Sequence, residues 1–314
     1  MTRTVLVTGA TGLLGRQVVH AFKSAGWNTV GTGQTRAQPP AILKVNLTDS
    51  SEISTVLQEV KPDVVIHCAA NRFPDKCNEN PQEAKAINVE ASQQLAQASS
   101  KNNILLIYIS TDYVFSGKPG EAPYEADAIP YPTNIYGQLK LDGEVAILKD
   151  TEETGLGIVL RVPVLYGKVE DNKESAVNVL MDALWKSQEK DAHVKMDDWA
   201  QRYPTNTEDV ARVCLDIARK YLDDGNARVS GPKILQFSSE DRMTKYEICQ
   251  LFGDIMGLSL DGMTAEKEGS DPKANVQRPY DTHLSTRALR DIGIDVRTQD
   301  FTAWWRREVK AFRK

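Results

Sequence analysis

A tyrosine and a lysine four positions apart carry the clearest chemical signal in this chain of 314 residues. Tyr136 and Lys140, in the segment Tyr136-Gly137-Gln138-Leu139-Lys140, would lie on one face of a helix, one turn apart. A phenol has a pKa of about 10, so it is a poor acid or base at neutral pH, and a nearby ammonium group favours its ionised form. The spacing therefore indicates proton transfer by a tyrosine. The alternative is an ordinary amphipathic helix.

A glycine turn near the N-terminus indicates what such a tyrosine would act with. Gly9, Gly12 and Gly15 follow an apolar strand directly and open a helix. Glycines allow a tight turn and a close approach of the backbone, and the helix N-terminus offers unpaired N–H groups to a pyrophosphate. Together with the tyrosine–lysine pair, the turn predicts carbonyl/alcohol redox chemistry on a nicotinamide dinucleotide. A glycine-rich βα turn without a ligand is the alternative.

The end of the second predicted strand distinguishes the two nicotinamide dinucleotides. Sites specific for NAD carry an acidic side chain there, which binds the ribose hydroxyls. The segment 31–36 has no acidic residue and ends with Arg36, beside the polar Gln34 and Thr35. Because a guanidinium group binds a 2′-phosphate through charge-assisted hydrogen bonds, the sequence predicts NADP(H). The alternative is that Arg36 is a solvated surface charge.

Apolar strands and helical patterns alternate through the first half of the chain, and the alternation breaks after Gly167. It predicts an α/β fold of the Rossmann type, a doubly wound parallel sheet, with a small discontinuous C-terminal substrate lobe. Residues 1–167 and 205–238 are assigned to the NADP(H)-binding domain, and residues 168–204 and 239–314 to the lobe. The predicted strands are 4–8, 28–32, 43–45, 64–68, 104–110, 157–162 and 234–238. The predicted helices are 13–25, one from 49–50 to Pro62, 81–98, 132–149, 177–185, 207–222 and 244–256.

Bulk properties limit the classes of function. Apolar residues make up 41% of the chain, and the net charge of −5 without a basic stripe argues against nucleic acid as a ligand. No stretch approaches the roughly 18 apolar residues of a membrane span, and residues 1–3 leave no room for a signal peptide. The four cysteines are scattered, and His67 is expected to be a satisfied core residue. We therefore expect no metal site, no membrane association and a cytoplasmic location.

Several segments together resemble a known family. They are the glycine turn, Cys68-Ala69-Ala70, and residues 110–115, 136–144 and 161–167. These segments are similar to the extended short-chain dehydrogenase/reductases, and within them to the dTDP-4-dehydrorhamnose reductase (RmlD-like) branch. Residues 45–47, 174–177, 243–247 and 277–279 resemble in particular the regulatory beta subunits of methionine adenosyltransferase. Sugar-nucleotide 4,6-dehydratases have Thr-Asp-Glu where this chain has Thr111-Asp112-Tyr113, so dehydration is not expected.

The resemblance implies a catalytic group of Thr111, Tyr136 and Lys140. Tyr136 would protonate the carbonyl oxygen while hydride leaves the nicotinamide, and Thr111 would hydrogen-bond the same oxygen. Lys140 would lower the pKa of the tyrosine and bind the ribose. Besides Tyr136 and Lys140, cofactor contacts are expected at Gly9, Thr11, Gly12, Leu13, Leu14, Gly15, Arg36, Asn46, Leu47, Cys68, Ala69, Ala70, Asn88, Val162 and Pro163.

Three residues are expected to bind the substrate. Tyr113 would line the pocket, with simple packing as the alternative. Arg202 and Arg278 fall where the family closes its pocket, and they would suit an anionic group such as a nucleotide pyrophosphate. Structural pairing with carboxylates is the alternative.

The C-terminal stretch 301–312 is aromatic and basic. We expect a closing helix packed on the body of the protein, with a stripe of Phe301, Trp304, Trp305 and Phe312. Membrane or partner contact is the minor alternative.

Two functions from different classes follow from the resemblance. The first is an NADPH-dependent reductase of a keto group, on a nucleotide-linked 4-keto-6-deoxysugar or a similar polar carbonyl compound. The second is an NADP(H)-binding regulatory subunit, with a methionine adenosyltransferase catalytic subunit as its partner and little or no catalysis. The intact Thr111, Tyr136 and Lys140 favour the reductase. A homodimer is a further option, since related reductases dimerise through helices beside the sheet.

Overall fold

A parallel sheet of seven strands lies at the centre of the computed structural model, which describes residues 2–269 and 274–311. The strands along the chain are β1 (Thr4–Thr8), β2 (Asn28–Gly33), β3 (Ile42–Lys44), β4 (Val64–His67), β5 (Leu105–Thr111), β6 (Gly157–Val162), β7 (Leu165–Tyr166), β8 (Val194–Asp197), β9 (Thr205–Asn206), β10 (Ile234–Gln236) and β11 (Met263–Glu266). In the central sheet they are ordered β3-β2-β1-β4-β5-β6-β10.

Helices cover both faces of this sheet. They are α1 (Leu13–Ser24), α2 (Ser50–Val60), α3 (Pro74–Glu79), α4 (Pro81–Lys85), α5 (Ala91–Lys101), α6 (Ile135–Asp150), α7 (Val179–Lys186), α8 (Thr207–Asp223), α9 (Gly225–Ser230), α10 (Lys245–Met256), α11 (Arg287–Asp291) and α12 (Phe301–Glu308). A π-helical turn at Ala86–Glu90 joins α4 to α5, and 3₁₀ helices lie at Asp112–Val114 and Asn172–Glu174. None of the described helices has the length and apolarity needed to cross a membrane.

The order of the strands reverses between β1 and β4, which pair in parallel although β2 and β3 separate them in the chain. In this pair Val5 lies opposite Val64 and Thr8 opposite His67. The connections from the two strands leave in opposite directions, so a crevice opens at their carboxyl ends. The predicted doubly wound parallel sheet of the Rossmann type is confirmed.

Two apolar cores hold the helices to the sheet. On one face, α1 and α8 pack on the strands through residues such as Phe22 and Ile217. On the other face, α2 and α5 pack through residues such as Leu57 and Leu95. The central strands are apolar on both sides because both of their faces are buried.

A third core lies beyond the sheet, among α7, α10, α12 and the parallel strand pair β8–β11. The ring of Tyr166 meets that of Phe301 edge to face, with centroids 4.8 Å apart. The predicted aromatic stripe is confirmed for Phe301, Trp304 and Trp305, which are buried, whereas Phe312 lies outside the described residues. The division of the chain into a cofactor domain and a lobe stays a prediction. Leu289, in α11, packs in the core of α1 and α8.

The differences from the predicted elements have local causes. α6 begins at Ile135 rather than Pro132, because Asn134 is its N-cap and accepts a hydrogen bond from the Gly137 N–H at 2.9 Å. The predicted helix 81–98 is interrupted by the π-helical turn. α3, α9, α11 and the strands β7, β8, β9 and β11 were not predicted, because such short elements show no clear periodicity.

Candidate active site and cofactor crevice

A cavity of about 730 Å³ lies at the carboxyl ends of the central strands. The glycine turn lines one end of it, and residues of β5, α6, α10 and the segment 276–279 line the other. The predicted site residues that line it are Gly9, Thr11, Gly12, Leu13, Leu14, Gly15, Arg36, Leu47, Cys68, Ala69, Ala70, Thr111, Tyr113, Tyr136, Lys140, Val162, Pro163, Arg202 and Arg278. The fold therefore brings most of the predicted cofactor, catalytic and substrate residues into one crevice.

The turn between β1 and α1 needs glycine for a steric reason. Gly9 has a φ of +65°, and a Cβ there would lie 2.8 Å from the backbone nitrogen of Ala69, in the segment after β4. The two strand ends of the crevice therefore approach each other closely. Gly12 is the N-cap of α1 and supplies no side-chain cap, so the first N–H groups of this helix suit an anion.

The catalytic residues predicted from the sequence come from β5 and α6. Thr111 ends β5, and its hydroxyl donates to Asp112 Oδ1 at 3.1 Å and accepts from the Tyr113 N–H at 3.2 Å. The rings of Tyr113 and Tyr136 meet edge to face, with centroids 6.0 Å apart. Gly137 allows this approach, since a Cβ there would lie 2.1 Å from the carbonyl oxygen of Tyr113.

Lys140, four positions after Tyr136 in α6, is buried. Its Nζ donates to the carbonyl oxygen of Ile109 at 2.7 Å and lies 3.8 Å from the centroid of the Tyr108 ring. Burial lowers the pKa of Lys140 to about 7, and the negative charge of Glu144 opposes this change. Near neutral pH a substantial fraction of this amine is therefore unprotonated.

The lowering of the Tyr136 pKa by Lys140 stays a prediction. Burial raises the pKa of Tyr136 above its usual value, and a hydrogen bond with Thr111 opposes the increase only in part. The phenolate is disfavoured because it would be desolvated, while the amine of Lys140 is directed to a backbone carbonyl. Tyr136 therefore stays protonated at neutral pH, as a proton donor must be.

Two of the expected cofactor residues do not line the cavity. Asn88, in the π-helical turn, uses its side-chain amide on the backbone of Asn71, accepting from its N–H at 2.8 Å and donating to its carbonyl at 2.9 Å. Asn46 accepts from the N–H and hydroxyl of Thr48 in the turn before α2. Both side chains therefore hydrogen-bond to backbone groups. Asn88 stabilises the segment after β4, which lines the crevice, and Asn46 stabilises the turn before α2.

Arg36 lines the crevice but is bound to carboxylates. Its Nη1 donates to Glu174 Oε1 and, at 3.3 Å, to Glu170 Oε2. Arg16 forms a bidentate ion pair with Glu174, with Nη1–Oε1 at 3.2 Å and Nη2–Oε2 at 2.5 Å. Burial alone would raise the pKa of Glu174, but the hydrogen bonds from Arg16 and Arg36 outweigh it and lower the pKa to about 2. The sequence analysis missed Arg16 and Glu174, since pairing across this distance has no local pattern.

Cationic side chains line the part of the cavity formed by α10 and Arg278. Arg202 is buried, and its Nη1 donates to the carbonyl of Pro279 at 3.3 Å, next to Arg278. The Nη2 of Arg202 has no hydrogen-bond partner among the described residues. Arg278 pairs with Asp75 at 2.8 Å. Lys245, which the sequence analysis missed, lines the same end, and burial together with the charges of Arg202 and Arg278 lowers its pKa.

Asp112, which follows Thr111, is a buried carboxyl group. Thr282 donates to its Oδ2 at 2.5 Å. Burial raises the pKa of Asp112 to about 6, against the lowering effects of Thr282 and of the nearby charge on Arg202. A carboxyl group of this kind can hold or release a proton near neutral pH.

His67, the last residue of β4, is buried and hydrogen-bonded within the fold. Its ring nitrogens lie 2.7 Å from the Thr8 hydroxyl and 3.0 Å from the Ser92 hydroxyl. Burial lowers its pKa to about 3, so the ring is neutral. The prediction of a satisfied core histidine is confirmed. The described part of the chain contains no group of three or more side chains suited to a metal ion.

Known proteins are similar to this chain in sequence and in fold. The family model "RmlD substrate binding domain" matches residues 3–313. The chain is 42% identical over 299 residues to methionine adenosyltransferase 2 subunit beta of Xenopus tropicalis, covering 94% of this chain and 84% of that protein. It is 41% identical over 298 residues to the mouse (Mus musculus) protein of the same name, with coverages of 95% and 84%.

Solved structures are similar throughout the chain. A dTDP-4-dehydrorhamnose reductase ortholog of Clostridium acetobutylicum superimposes with a TM-score of 0.80 at 24% identity, covering 98% of each chain. The dTDP-4-dehydrorhamnose reductase of Bacillus anthracis, in complex with NADP, has a TM-score of 0.77 at 21% identity, covering 98% of this chain and 97% of that chain. These two likenesses show the fold, while the family rests on the sequence matches. The chain belongs to the family of the RmlD substrate binding domain.

Proposed function

We propose that this protein is an NADP(H)-dependent reductase of a keto group, of the extended short-chain dehydrogenase/reductase type. The observation that carries the proposal is that Thr111, Tyr136 and Lys140 line the same cavity as the glycine turn. The structurally similar reductase of Bacillus anthracis was solved in complex with NADP, which supports the choice of cofactor.

The residues of the crevice fit a dinucleotide phosphate. The N-terminus of α1 has no side-chain cap and would hold the pyrophosphate, and Arg36 would hold the 2′-phosphate. Lys140 would bind the nicotinamide ribose. The chemistry that NADPH supplies in such a site is transfer of a hydride to the carbonyl carbon.

Tyr136 is the proton donor in this proposal. The phenol is protonated at neutral pH, so it can give its proton to the carbonyl oxygen as negative charge develops there. Thr111 lies beside the phenol and would hydrogen-bond the same oxygen. Tyr113, Arg202 and Arg278 would hold the remainder of the substrate.

The proposed substrate is a nucleotide-linked 4-keto-6-deoxysugar or a similar polar carbonyl compound. Arg202 and Arg278 at the far end of the cavity support an anionic substrate, because cations there bind a pyrophosphate. The names of the structural relatives, dTDP-4-dehydrorhamnose reductases, support a sugar nucleotide.

The first test removes the proton donor. Tyr136→Phe should lower the rate of NADPH consumption with dTDP-4-keto-6-deoxyglucose by about 10²–10⁴-fold, because it removes general acid catalysis. NADPH affinity, measured by fluorescence titration, should remain nearly unchanged, since the phenyl ring keeps its place. Turnover by the variant at the parent rate contradicts the assignment of Tyr136.

The second test concerns cofactor choice. The unsubstituted protein should bind NADPH more tightly than NADH, and Arg36→Ala should remove most of that preference. Charge-assisted hydrogen bonds of this kind correspond to about 10–100-fold in affinity. NADH affinity is the internal control, because it should not depend on Arg36. Equal titration curves for the two cofactors with the unsubstituted protein contradict the assignment of NADP(H).

A second function is favoured by sequence identity. The relatives at 41–42% identity over 94–95% of the chain are named methionine adenosyltransferase 2 subunit beta. Under this hypothesis the protein binds NADP(H) and associates with a methionine adenosyltransferase catalytic subunit, with little or no turnover. Co-purification from native extract, combined with assays of dTDP- and UDP-4-keto-6-deoxysugars, separates the two. A stoichiometric methionine adenosyltransferase without sugar turnover decides for the regulatory role.

A further inference from the structure

The carboxylate of Glu174 is held firmly at the edge of the crevice. Its side chain is 11% exposed, and its Oε2 accepts from Arg16 and, at 3.2 Å, from the N–H of Glu170. The next residue, Ser175, donates its hydroxyl to the carbonyl of Leu165 at 2.8 Å, which ties the segment to β7. Glu174 is therefore a fixed negative charge rather than a mobile surface side chain.

The guanidinium group of Arg36 contacts this carboxylate and is also the group proposed to bind the 2′-phosphate. The Nη1 of Arg36 contacts Glu174 Oε1, while about half of its side chain remains exposed. A 2′-phosphate would need charge-assisted hydrogen bonds from the same guanidinium group. Like charges brought to one cation repel each other, more strongly where solvent is partly excluded. The low pKa of Glu174 means that this repulsion persists at every pH near neutrality.

We propose that Glu174 competes with the 2′-phosphate of NADPH for Arg36 and so limits how strongly the protein prefers NADPH over NADH. This inference rests on the proposed function, and it assigns a specificity-determining role to Glu174. When a 2′-phosphate is bound, Arg36 turns from Glu174 to the phosphate, and Glu174 keeps its pair with Arg16.

The central experiment neutralises this carboxylate. Glu174→Gln keeps the length of the side chain and an oxygen for Arg16 but removes the negative charge. We expect the Kd for NADPH, from fluorescence titration, to fall by about tenfold, which corresponds to ~1.4 kcal/mol. The Kd for NADH should change by less than about twofold, because NADH has no group at the position of the 2′-phosphate.

Two further variants test whether the change in NADPH affinity arises from the contact of Glu174 with Arg36. Asp171→Asn removes a carboxylate from the same segment. Asp171 caps the 3₁₀ helix and has no ion pair with an arginine among the described residues, and asparagine preserves the cap. This substitution should leave the NADPH preference unchanged. In an Arg36→Ala background, Glu174→Gln should no longer improve NADPH binding, because the two effects act through one guanidinium group.

Hydrogen exchange of the unsubstituted protein gives an independent measurement. NADPH, but not NADH, should speed exchange of the backbone amides in residues 170–174, because the pair of Glu174 with Arg36 is given up. Equal protection of these amides by both cofactors overturns the proposal. An unchanged or weaker NADPH affinity of Glu174→Gln also overturns it, because Glu174 would then position Arg36 for the phosphate. If the unsubstituted protein binds neither dinucleotide, the proposed function fails together with this inference. If it binds NADPH but Glu174→Gln does not bind NADPH more tightly, only the inference is contradicted.

Discussion

Burial of Lys140 lowers the free energy of unfolding by an amount that depends on pH. Its pKa falls from a usual value of 10.5 to about 7 because the folded protein buries the ammonium group. Below pH 7 both the folded and the unfolded chain bind this proton, and the folded state bears the full desolvation cost. Between pH 7 and 10.5 the unfolded chain binds it more strongly, so the cost fades as the pH rises.

The variant Lys140→Met tests this direction of the pH dependence of stability. The variant loses the hydrogen bond to Ile109 at every pH, but it also loses the buried charge. Its free energy of unfolding relative to the parent should therefore be most favourable at pH 6–7 and decline by roughly a few kcal/mol toward pH 10. Denaturant unfolding at a series of pH values measures the difference. A difference that does not vary with pH means that Lys140 is not desolvated.

The types and spacing of the proposed catalytic residues could be predicted from the sequence, because Tyr136 and Lys140 are neighbours on one helix. Their protonation could not. The pKa of Tyr136 depends on its burial and on a hydrogen bond with Thr111, 25 positions earlier. Spacing placed the amine of Lys140 on the same face of the helix as the phenol, and only the fold shows that this amine donates to the carbonyl of Ile109.

At the scale of elements, the cap of α6 sets the position of the proposed proton donor. The side chain of Asn134 accepts from the Gly137 N–H at 2.9 Å and donates to the carbonyl of Gln277 at 3.0 Å. It thus joins the first turn of α6 to the segment that carries Arg278. Tyr136 is the second residue of this helix, so its position depends on the cap.

Asn134→Ala should lower the free energy of unfolding by about 1 kcal/mol, the usual effect of losing an N-cap. It should also reduce the rate of carbonyl reduction, because the first helical turn is less well fixed. Asn134→Asp is the matched control: it keeps the acceptor for the cap and loses the donation to Gln277. Thermal unfolding and NADPH consumption measure the two effects. If alanine and aspartate variants are equally stable, the cap is not the stabilising contact.

Elements with ten or more residues were predicted well because their apolar periodicity extends over several turns. α8, for example, occupies Thr207–Asp223 where 207–222 was predicted. The short elements around the crevice, such as α3 and the 3₁₀ helix at Asn172–Glu174, have no such signal. They supply Asp75 and Glu174, two acidic groups that the sequence analysis missed at the crevice.

At the scale of the whole molecule, a buried ion pair ties the sheet to its helices. Arg161 of β6 binds Glu144 of α6 through two nitrogens, with Nη2–Oε2 at 2.7 Å. Ser110 of β5 donates to the same carboxylate at 2.5 Å, and Arg161 also donates to the carbonyl of Ala126 at 3.2 Å. Both charged side chains are almost completely inaccessible to solvent.

Glu144→Gln should therefore be strongly destabilising. Removing one partner leaves Arg161 as an uncompensated buried charge, which costs about 3–5 kcal/mol. The double variant with Arg161→Gln should recover part of the loss in a double-mutant cycle measured by denaturant unfolding. Asp295→Asn, which breaks an exposed pair with Arg297, is the control and should leave stability almost unchanged. A loss no larger than that of this control contradicts the role of the buried pair.

The sequence by itself determined the order of strands and helices, the glycine turn and the tyrosine–lysine pair, because each depends on neighbours within a few turns of chain. It also determined the family, through motifs spread along most of the chain. Only the tertiary structure decided which charges meet. Arg36 and Glu174 are 138 positions apart, and Asp75 and Arg278 are 203 apart, so no local pattern links them. Burial, and with it the protonation of Tyr136, Lys140 and Asp112, follows from the same long-range packing.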